Sequence, residues 1–333
     1  MSSLLHTSAE KSLPDSDVTS LAVVMNAPGS LDLQRIALRQ PETDEVLVAV
    51  EYSGISTGTE RLLWDGTMPN FPGMGYPLVP GYESVGRIVD AGDACRERIG
   101  QRVFVSGASC FGEIRGLFGG AASRLLVDQS KALEIQPGLD ETGTLMALAA
   151  TAVHAIYCAP DGKPVWPELI IGHGVLGRLL ARATIACGGP APTVWELNAD
   201  RMTGDEGYPV IQPDSDARRD YQRVFDVSGD SAILDKVMFN LAPLGEVVLA
   251  GFYSAPVTFN FAPAFMREAR IRIAAQWQPQ DLQRVRQLVE DGALNLDQLI
   301  THHATPDDAA TAYQTAFAEP TCLKMILDWR NLQ

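Results

Sequence analysis

The chain has 333 residues, 46% of them hydrophobic and 20% charged, which is enough apolar material for two cores rather than one. Forty-one acidic against 26 basic residues leave a net charge of −15, which repels phosphate backbones and anionic membranes and sets nucleic-acid binding aside. Five cysteines, at 95, 110, 158, 187 and 322, form no C-x-x-C pair and have no zinc-finger spacing; they read as reduced, buried apolar side chains of a cytoplasmic protein.

In chain order, residues 1–19 are polar, lack an apolar core segment and are expected to be a disordered tail rather than a targeting segment. No apolar run is long enough for a transmembrane helix. Residues 20–140 read as β-rich. Leu21–Met25, Val46–Tyr52, Val85–Val89 and Arg102–Val105 are short apolar or alternating runs separated by glycine and proline. The pattern changes at residue 141. Glu141–Ala159 is alanine-rich and helical in character, and strands then alternate with helices: Leu169–Ile171, Leu176–Cys187, Thr193–Trp195, Val224–Val227 and Glu246–Ala250. Such alternation predicts a doubly wound parallel sheet with crossover helices over residues 141–290. Asp281–Gly292 predicts an amphipathic helix with Leu282, Val285, Leu288 and Val289 on one face. Residues 291–333 add a helix near Asp307–Phe317 and a last strand in Cys322–Asp328.

The sharpest motif follows the strand Leu169–Ile171. Gly172, Gly174 and Gly177 satisfy G-x-G-x-x-G between an apolar strand and a helix striped by Leu176, Leu179, Leu180 and Ala183. The first glycine allows the tight turn, the second lets backbone approach a pyrophosphate, and the third lets helix pack on strand; the helix N-terminus favours phosphate. His173, Val175 and Leu176 belong to the same cofactor loop, His173 shaping the phosphate site rather than catalysing. Glu196 ends the next strand, where a carboxylate accepts ribose hydroxyls and repels a 2′-phosphate, so NAD is expected over NADP. Gly251 is expected to face the nicotinamide from a later strand end. Ser228, within Asp226–Gly229, either lines the same cleft or belongs to a structural turn.

Beyond these motifs the chain resembles the medium-chain dehydrogenases over nearly all of residues 20–333. Gly54-Ile-Ser-Thr-Gly-Thr-Glu60, Pro80-Gly-Tyr-Glu-Ser-Val-Gly86 and Ala147-Leu-Ala-Ala-Thr-Ala-Val-His-Ala155 carry the likeness. It implies a GroES-like β-rich domain over 20–140, a Rossmann NAD-binding domain over 141–290 and a return to the first domain over 291–333. Ser56, Tyr82 and Ala147 stand where the family has its catalytic-zinc ligands, and no four-cysteine lobe is present, so no metal is expected. Glu83 and His154 are the remaining metal-capable pair. Longer strings resemble the bacteriochlorophyllide dehydrogenases within this superfamily: Gly54–Trp64, Phe71–Ser84, Gly172–Arg182 and Cys322–Met325. That likeness implies a tetrapyrrole substrate whose 3-(1-hydroxyethyl) group is oxidised to 3-acetyl in bacteriochlorophyll synthesis.

Without a metal, side chains must accept the hydroxyl proton. The resemblance places Ser56, Thr57, Tyr82 and Glu83 around the missing ion, with His154 as a further relay candidate and Thr151 beside the nicotinamide. Glu83 alternatively pairs with an arginine and fixes its loop. A flat apolar macrocycle needs a wide apolar site, and the loops carrying Trp64, Phe71, Tyr76 and Phe118 are expected to border it or else to be surface turns with buried anchors. Two other readings remain: a zinc-free quinone or enone reductase using NADPH, and a non-catalytic tetrapyrrole-binding protein. The sequence leaves the oligomeric state open, although homodimers are common in the superfamily.

Overall fold

A computed structural model describes residues 18–70, 72–203 and 207–332. The strand Glu45–Ile55 organises the first half. Nine of its 11 residues are buried, because the sheet is covered on both faces. It pairs antiparallel with Ser84–Ala91, with Arg124–Asp128 and with Met325–Asp328 near the end of the chain. The sheet runs in the order His302–Ala304, Met325–Asp328, Glu45–Ile55, Ser84–Ala91, Arg102–Val105, Ala132–Glu134. A four-stranded sheet built on Val18–Ala27 and Ser30–Leu38 closes over it. The first of these strands starts at Val18, two residues inside the stretch expected to be a tail; the rest of that stretch lies outside the described residues.

The second half is a six-stranded parallel sheet in the order Val210–Ile211, Thr193–Trp195, Leu169–Ile171, Tyr221–Asp226, Leu241–Leu249, Arg270–Ile273. The chain enters at Leu169–Ile171, runs outward to one side, then returns to the other side of that strand. The reversal leaves a crevice at the strands' carboxyl ends. The helix Met146–Tyr157 is rich in alanine because it packs between two others, Val175–Ala186 and Pro279–Glu290; Ala149, Ala150 and Ala152 are all buried. The fold is α/β, a β-rich unit joined to a doubly wound parallel sheet. Among the described residues no helix is long and apolar enough to cross a membrane.

Among the elements the pattern reading overlooked are Ser30–Leu38 and Thr59–Asp65. Ser30–Leu38 is a half-exposed edge strand whose Asp32, Gln34 and Arg35 disguise it. Thr59–Asp65 is a seven-residue helix, too short to show a period, and it ends at Gly66 with φ +69°. The last strand begins at Met325 rather than Cys322, so Lys324 immediately precedes it.

Gly86 shows how tightly the first sheet is drawn together: a Cβ there would lie 2.1 Å from the Ala49 carbonyl oxygen on the neighbouring strand. Gly86→Ala forces two backbones apart and is expected to cost about 3 kcal/mol, read as a lowered urea midpoint; an unchanged midpoint contradicts this packing.

Candidate active site

The glycine loop begins at Gly172, with φ +102°, and its amide donates to the Trp195 carbonyl at 2.9 Å. A Cβ on Gly177 would come within 1.9 Å of the Gly172 carbonyl oxygen, so only glycine lets the helix Val175–Ala186 sit this close to its strand. Gly174 caps that helix, and a Cβ there would meet nothing within 4 Å. The backbone therefore presents an open face at a helix N-terminus, and the residues fit the diphosphate of a dinucleotide.

Glu196 ties this loop to the next strand. Its Oε2 accepts from the His173 amide at 2.9 Å, and its Oε1 accepts from the Leu197 and Asn198 amides, each at 2.8 Å. A carboxylate offers about four acceptor positions, and three of them are filled by donors among the described residues. The His173 ring is buried, with Nδ1 2.5 Å from the Arg201 carbonyl oxygen and Nε2 3.0 Å from the Tyr208 hydroxyl. It holds the loop from inside.

Asp226 is a second hub. It is fully buried and accepts from the Ser228 amide and hydroxyl and from the Tyr253 hydroxyl. Burial pushes its carboxyl above the ordinary range, opposed by these donors. Its carbonyl accepts from the Ala250 and Gly251 amides, which brings Ser228 and Gly251 to the same wall.

One cleft of about 1210 Å³ joins these features to the β-rich unit. Val175 and Leu176 line it beside the glycines, and Thr151 faces it from the helix Met146–Tyr157 while its hydroxyl donates to the Ala147 carbonyl at 3.0 Å. At the far end stand Ser56, Thr57, Tyr82 and Phe118. The Tyr82 hydroxyl donates to Ser56 Oγ at 2.6 Å, and its ring meets Phe118 edge-on with centroids 5.5 Å apart. Burial pushes the Tyr82 phenol well above its ordinary value, so it stays a proton-bearing donor at neutral pH.

Four buried side chains beneath this end were not all foreseen. Lys324 Nζ lies 2.6 Å from Glu83 Oε2 and also donates to the Ile55 carbonyl at 3.3 Å. Glu60 accepts from the Ser56 amide at 3.0 Å and from the Tyr313 hydroxyl at 2.8 Å. Sequence reasoning missed Glu60, Tyr313 and Lys324. A lysine inside the apolar run from Cys322 to Leu327 was the available signal, since lysine is almost never buried unpaired. Glu60 gave none.

Several expectations are corrected. Glu83 does not reach the cleft: it is fully buried, and its partner is a lysine rather than an arginine. His154 is also absent from the cleft; its Nδ1 lies 2.8 Å from Asp281 Oδ2, which caps the helix Pro279–Glu290. It joins two helices rather than a relay. Nor do Trp64 and Tyr76 line the cleft. Trp64 packs at a tilt behind Phe317, and the Tyr76 hydroxyl donates to the Leu63 carbonyl, so both are anchors. Phe71 lies outside the described residues. Among the described residues no three His, Cys, Asp or Glu side chains are grouped to hold a metal.

Removing one partner of a buried ion pair strands the other charge. Lys324→Met is expected to cost about 3–5 kcal/mol in chemical denaturation, and adding Glu83→Gln is expected to recover most of it. A single variant as stable as the parent removes the pair from its structural role.

Residues 42–137 match the alcohol dehydrogenase GroES-like domain. The chain is 54% identical over 93% of its length to a 2-desacetyl-2-hydroxyethyl bacteriochlorophyllide A dehydrogenase of Cereibacter sphaeroides, of which 98% is covered. It is 52% identical over the same share to the protein of that name from Rhodobacter capsulatus, again 98% covered. An Escherichia coli alcohol dehydrogenase solved with NADH superposes with a TM-score of 0.77 over 93% of this chain and 99% of that one; at 19% identity the likeness is of fold alone. Glycine loop, parallel sheet and GroES-like sheet thus lie in a chain that belongs to the bacteriochlorophyllide dehydrogenase family of the medium-chain dehydrogenases.

Proposed function

We propose that this chain oxidises the hydroxyethyl side chain of a bacteriochlorophyllide to an acetyl group, with NAD as hydride acceptor and without a catalytic metal. The observation that carries the reading is the Tyr82–Ser56 hydroxyl pair, which shares one cleft with the glycine loop. A nicotinamide bound there would take the hydride from the carbinol carbon. The protein's part is to hold the alcohol oxygen against the hydroxyl pair, keep water out with Phe118 and move the hydroxyl proton. Ser56 and Tyr82 are poor zinc ligands and Ala147 is none, and Lys324 already neutralises Glu83, the remaining acid of the family signature.

The remaining acceptor position on Glu196 favours NAD. Arg201 lines the same cleft and is the feature that favours a 2′-phosphate and the reductase reading. A titration with both cofactors decides: tighter binding of NAD is expected, and tighter binding of NADP overturns the cofactor assignment.

Two copies are proposed to pair along the edge strand Arg270–Ile273. Ile271 and Ile273 are exposed there beside Phe261, Phe265 and Met266, and an open strand edge is a template for a second strand. Sedimentation is expected to give a dimer that Ile273→Lys dissociates.

The activity is tested anaerobically with a hydroxyethyl pigment, NAD and a chelator. Conjugation of a new acetyl group should shift the long-wavelength absorption band, with no loss to the chelator. Tyr82→Phe should lower kcat by roughly 10²–10⁴-fold. A stoichiometric zinc ion whose removal abolishes turnover sinks the metal-free reading.

A further inference from the structure

Four acidic or basic side chains line the cleft among the described residues: Arg61, Glu196, Arg201 and Glu319. Three of them are engaged by the protein. Glu196 holds three amides, Arg201 Nε donates to the Pro320 carbonyl at 2.7 Å, and Glu319 accepts from the Thr321 hydroxyl at 2.8 Å. Arg61 differs. Its side chain is 55% exposed, and among the described residues the one group set against it is the Asp65 carboxylate, Nε to Oδ2 3.4 Å, one turn along the same short helix. Exposed pairs of that spacing contribute little and are readily exchanged for a better partner. A guanidinium has five N–H donors, so the planar fork of Arg61 is left for a ligand.

The backbone beneath that fork is fixed. Glu60, the residue before it, is 1% exposed and accepts from the Ser56 amide and the Tyr313 hydroxyl, which pins the helix Thr59–Asp65 from its inner face. Arg61 leaves the outer face five positions after Ser56, and Ser56, Thr57, Gly58, Thr59 and Arg61 line the cleft together. The other cation, Arg201, belongs to the opposite end, where its carbonyl oxygen lies 2.5 Å from His173 Nδ1 in the glycine loop. We propose that Arg61 binds a carboxylate of the pigment and so orients the macrocycle with its hydroxyethyl group at Tyr82 and Ser56. The inference rests on the alcohol-oxidation reading above. A chlorophyllide differs from a chlorophyll in carrying its propionic side chain as the free acid, one anion on a flat apolar ring. A guanidinium meets a carboxylate in plane through two parallel N–H···O bonds, which fixes direction as well as position. An apolar site needs few such groups to orient its ligand. In a chain of net charge −15 the surrounding field repels a carboxylate, so one local cation decides where it settles. The cofactor's diphosphate, the other anion of this cleft, is served by the glycine loop.

Steady-state kinetics with a hydroxyethyl bacteriochlorophyllide as the free acid and as its methyl ester test the assignment. Arg61→Met should raise KM for the free acid about 10-fold, the loss of a charge-assisted contact at a half-exposed site. Arg61→Lys should fall between, since lysine keeps the charge and loses the fork. The parent should prefer the acid to the ester by a similar factor, and Arg61→Met should not distinguish them. A merely structural role weakens acid and ester alike. Asp65→Asn removes the carboxylate that competes for Arg61, so it should lower KM for the acid and leave that for the ester in place.

The dissociation constant of NAD, measured without pigment, should be the same in the parent and in Arg61→Met. A 10-fold weakening there, with the preference for the acid intact, gives Arg61 to the cofactor's diphosphate and overturns the proposal. An Arg61→Met variant that still prefers the acid as the parent does also overturns it. If the pigment binds and is not oxidised, the alcohol-oxidation reading fails, and absorption titration of acid and ester against parent and variant still decides for or against Arg61. A parent that binds no pigment overturns both.

Discussion

The buried pair between Lys324 and Glu83 is the contact on which the Ser56–Tyr82 end of the cleft depends. Lys324 immediately precedes the last strand, and Glu83 follows directly on Tyr82. Their Nζ and Oε2 lie 2.6 Å apart with essentially no solvent access. The same ammonium reaches the Ile55 carbonyl, next to Ser56. One charge thus holds the residues flanking both members of the Tyr82–Ser56 hydroxyl pair. Gly54 belongs to this arrangement, because a Cβ there would come within 2.3 Å of Glu83 Oε2. Buried ion pairs are seldom justified by stability alone, since desolvation consumes most of the attraction. Fixing the position of two hydroxyls is a use that does not depend on net stabilisation.

How much of this was legible in the sequence depends on distance along the chain. The glycine loop could be read because its parts are local. Gly172, Gly174, Gly177 and Glu196 fall within one strand–helix–strand unit, and each has a reason that a short window displays: a positive φ, an open approach, a close packing, a strand end. The Ser56–Tyr82 end is built by pairs far apart. Glu83 and Lys324 are 241 positions apart, and Glu60 and Tyr313 are 253 apart. No periodicity or spacing links residues at that remove; the antiparallel pairing of Met325–Asp328 with Glu45–Ile55 brings Lys324 to Glu83, and the helix Ala309–Ala318 brings Tyr313 to Glu60.

The aromatic loops show a different limit. Trp64, Tyr76 and Phe118 look alike as sequence, large rings among glycine and proline, yet only Phe118 faces the cleft. Composition says that such rings will be covered; it does not say by what. Trp64 still acts on the site from behind, since Phe317, the ring it packs against, is itself part of the wall. His154 was misplaced for a related reason. A histidine on an alanine-rich helix next to a cleft has two faces to choose from, and the Asp281 carboxylate on a neighbouring helix decided it.

The two ends of the cleft therefore depend on the fold in different ways. At the glycine loop the groups that would hold a cofactor are mainly backbone, set by a turn and a helix end that the local chain dictates. At Ser56 the cleft is walled by side chains, and their electrostatics depend on buried residues that include Tyr313 and Lys324 near the chain's end. A substitution in the parallel sheet that spares the turn leaves the first end intact. By contrast, any loosening of the last strand withdraws Lys324 from Glu83, and loosening of the helix Ala309–Ala318 withdraws Tyr313 from Glu60. The lysine that holds Glu83 thus arrives on the segment that closes the first sheet, so the electrostatics beneath the Ser56–Tyr82 pair are tied to that closure.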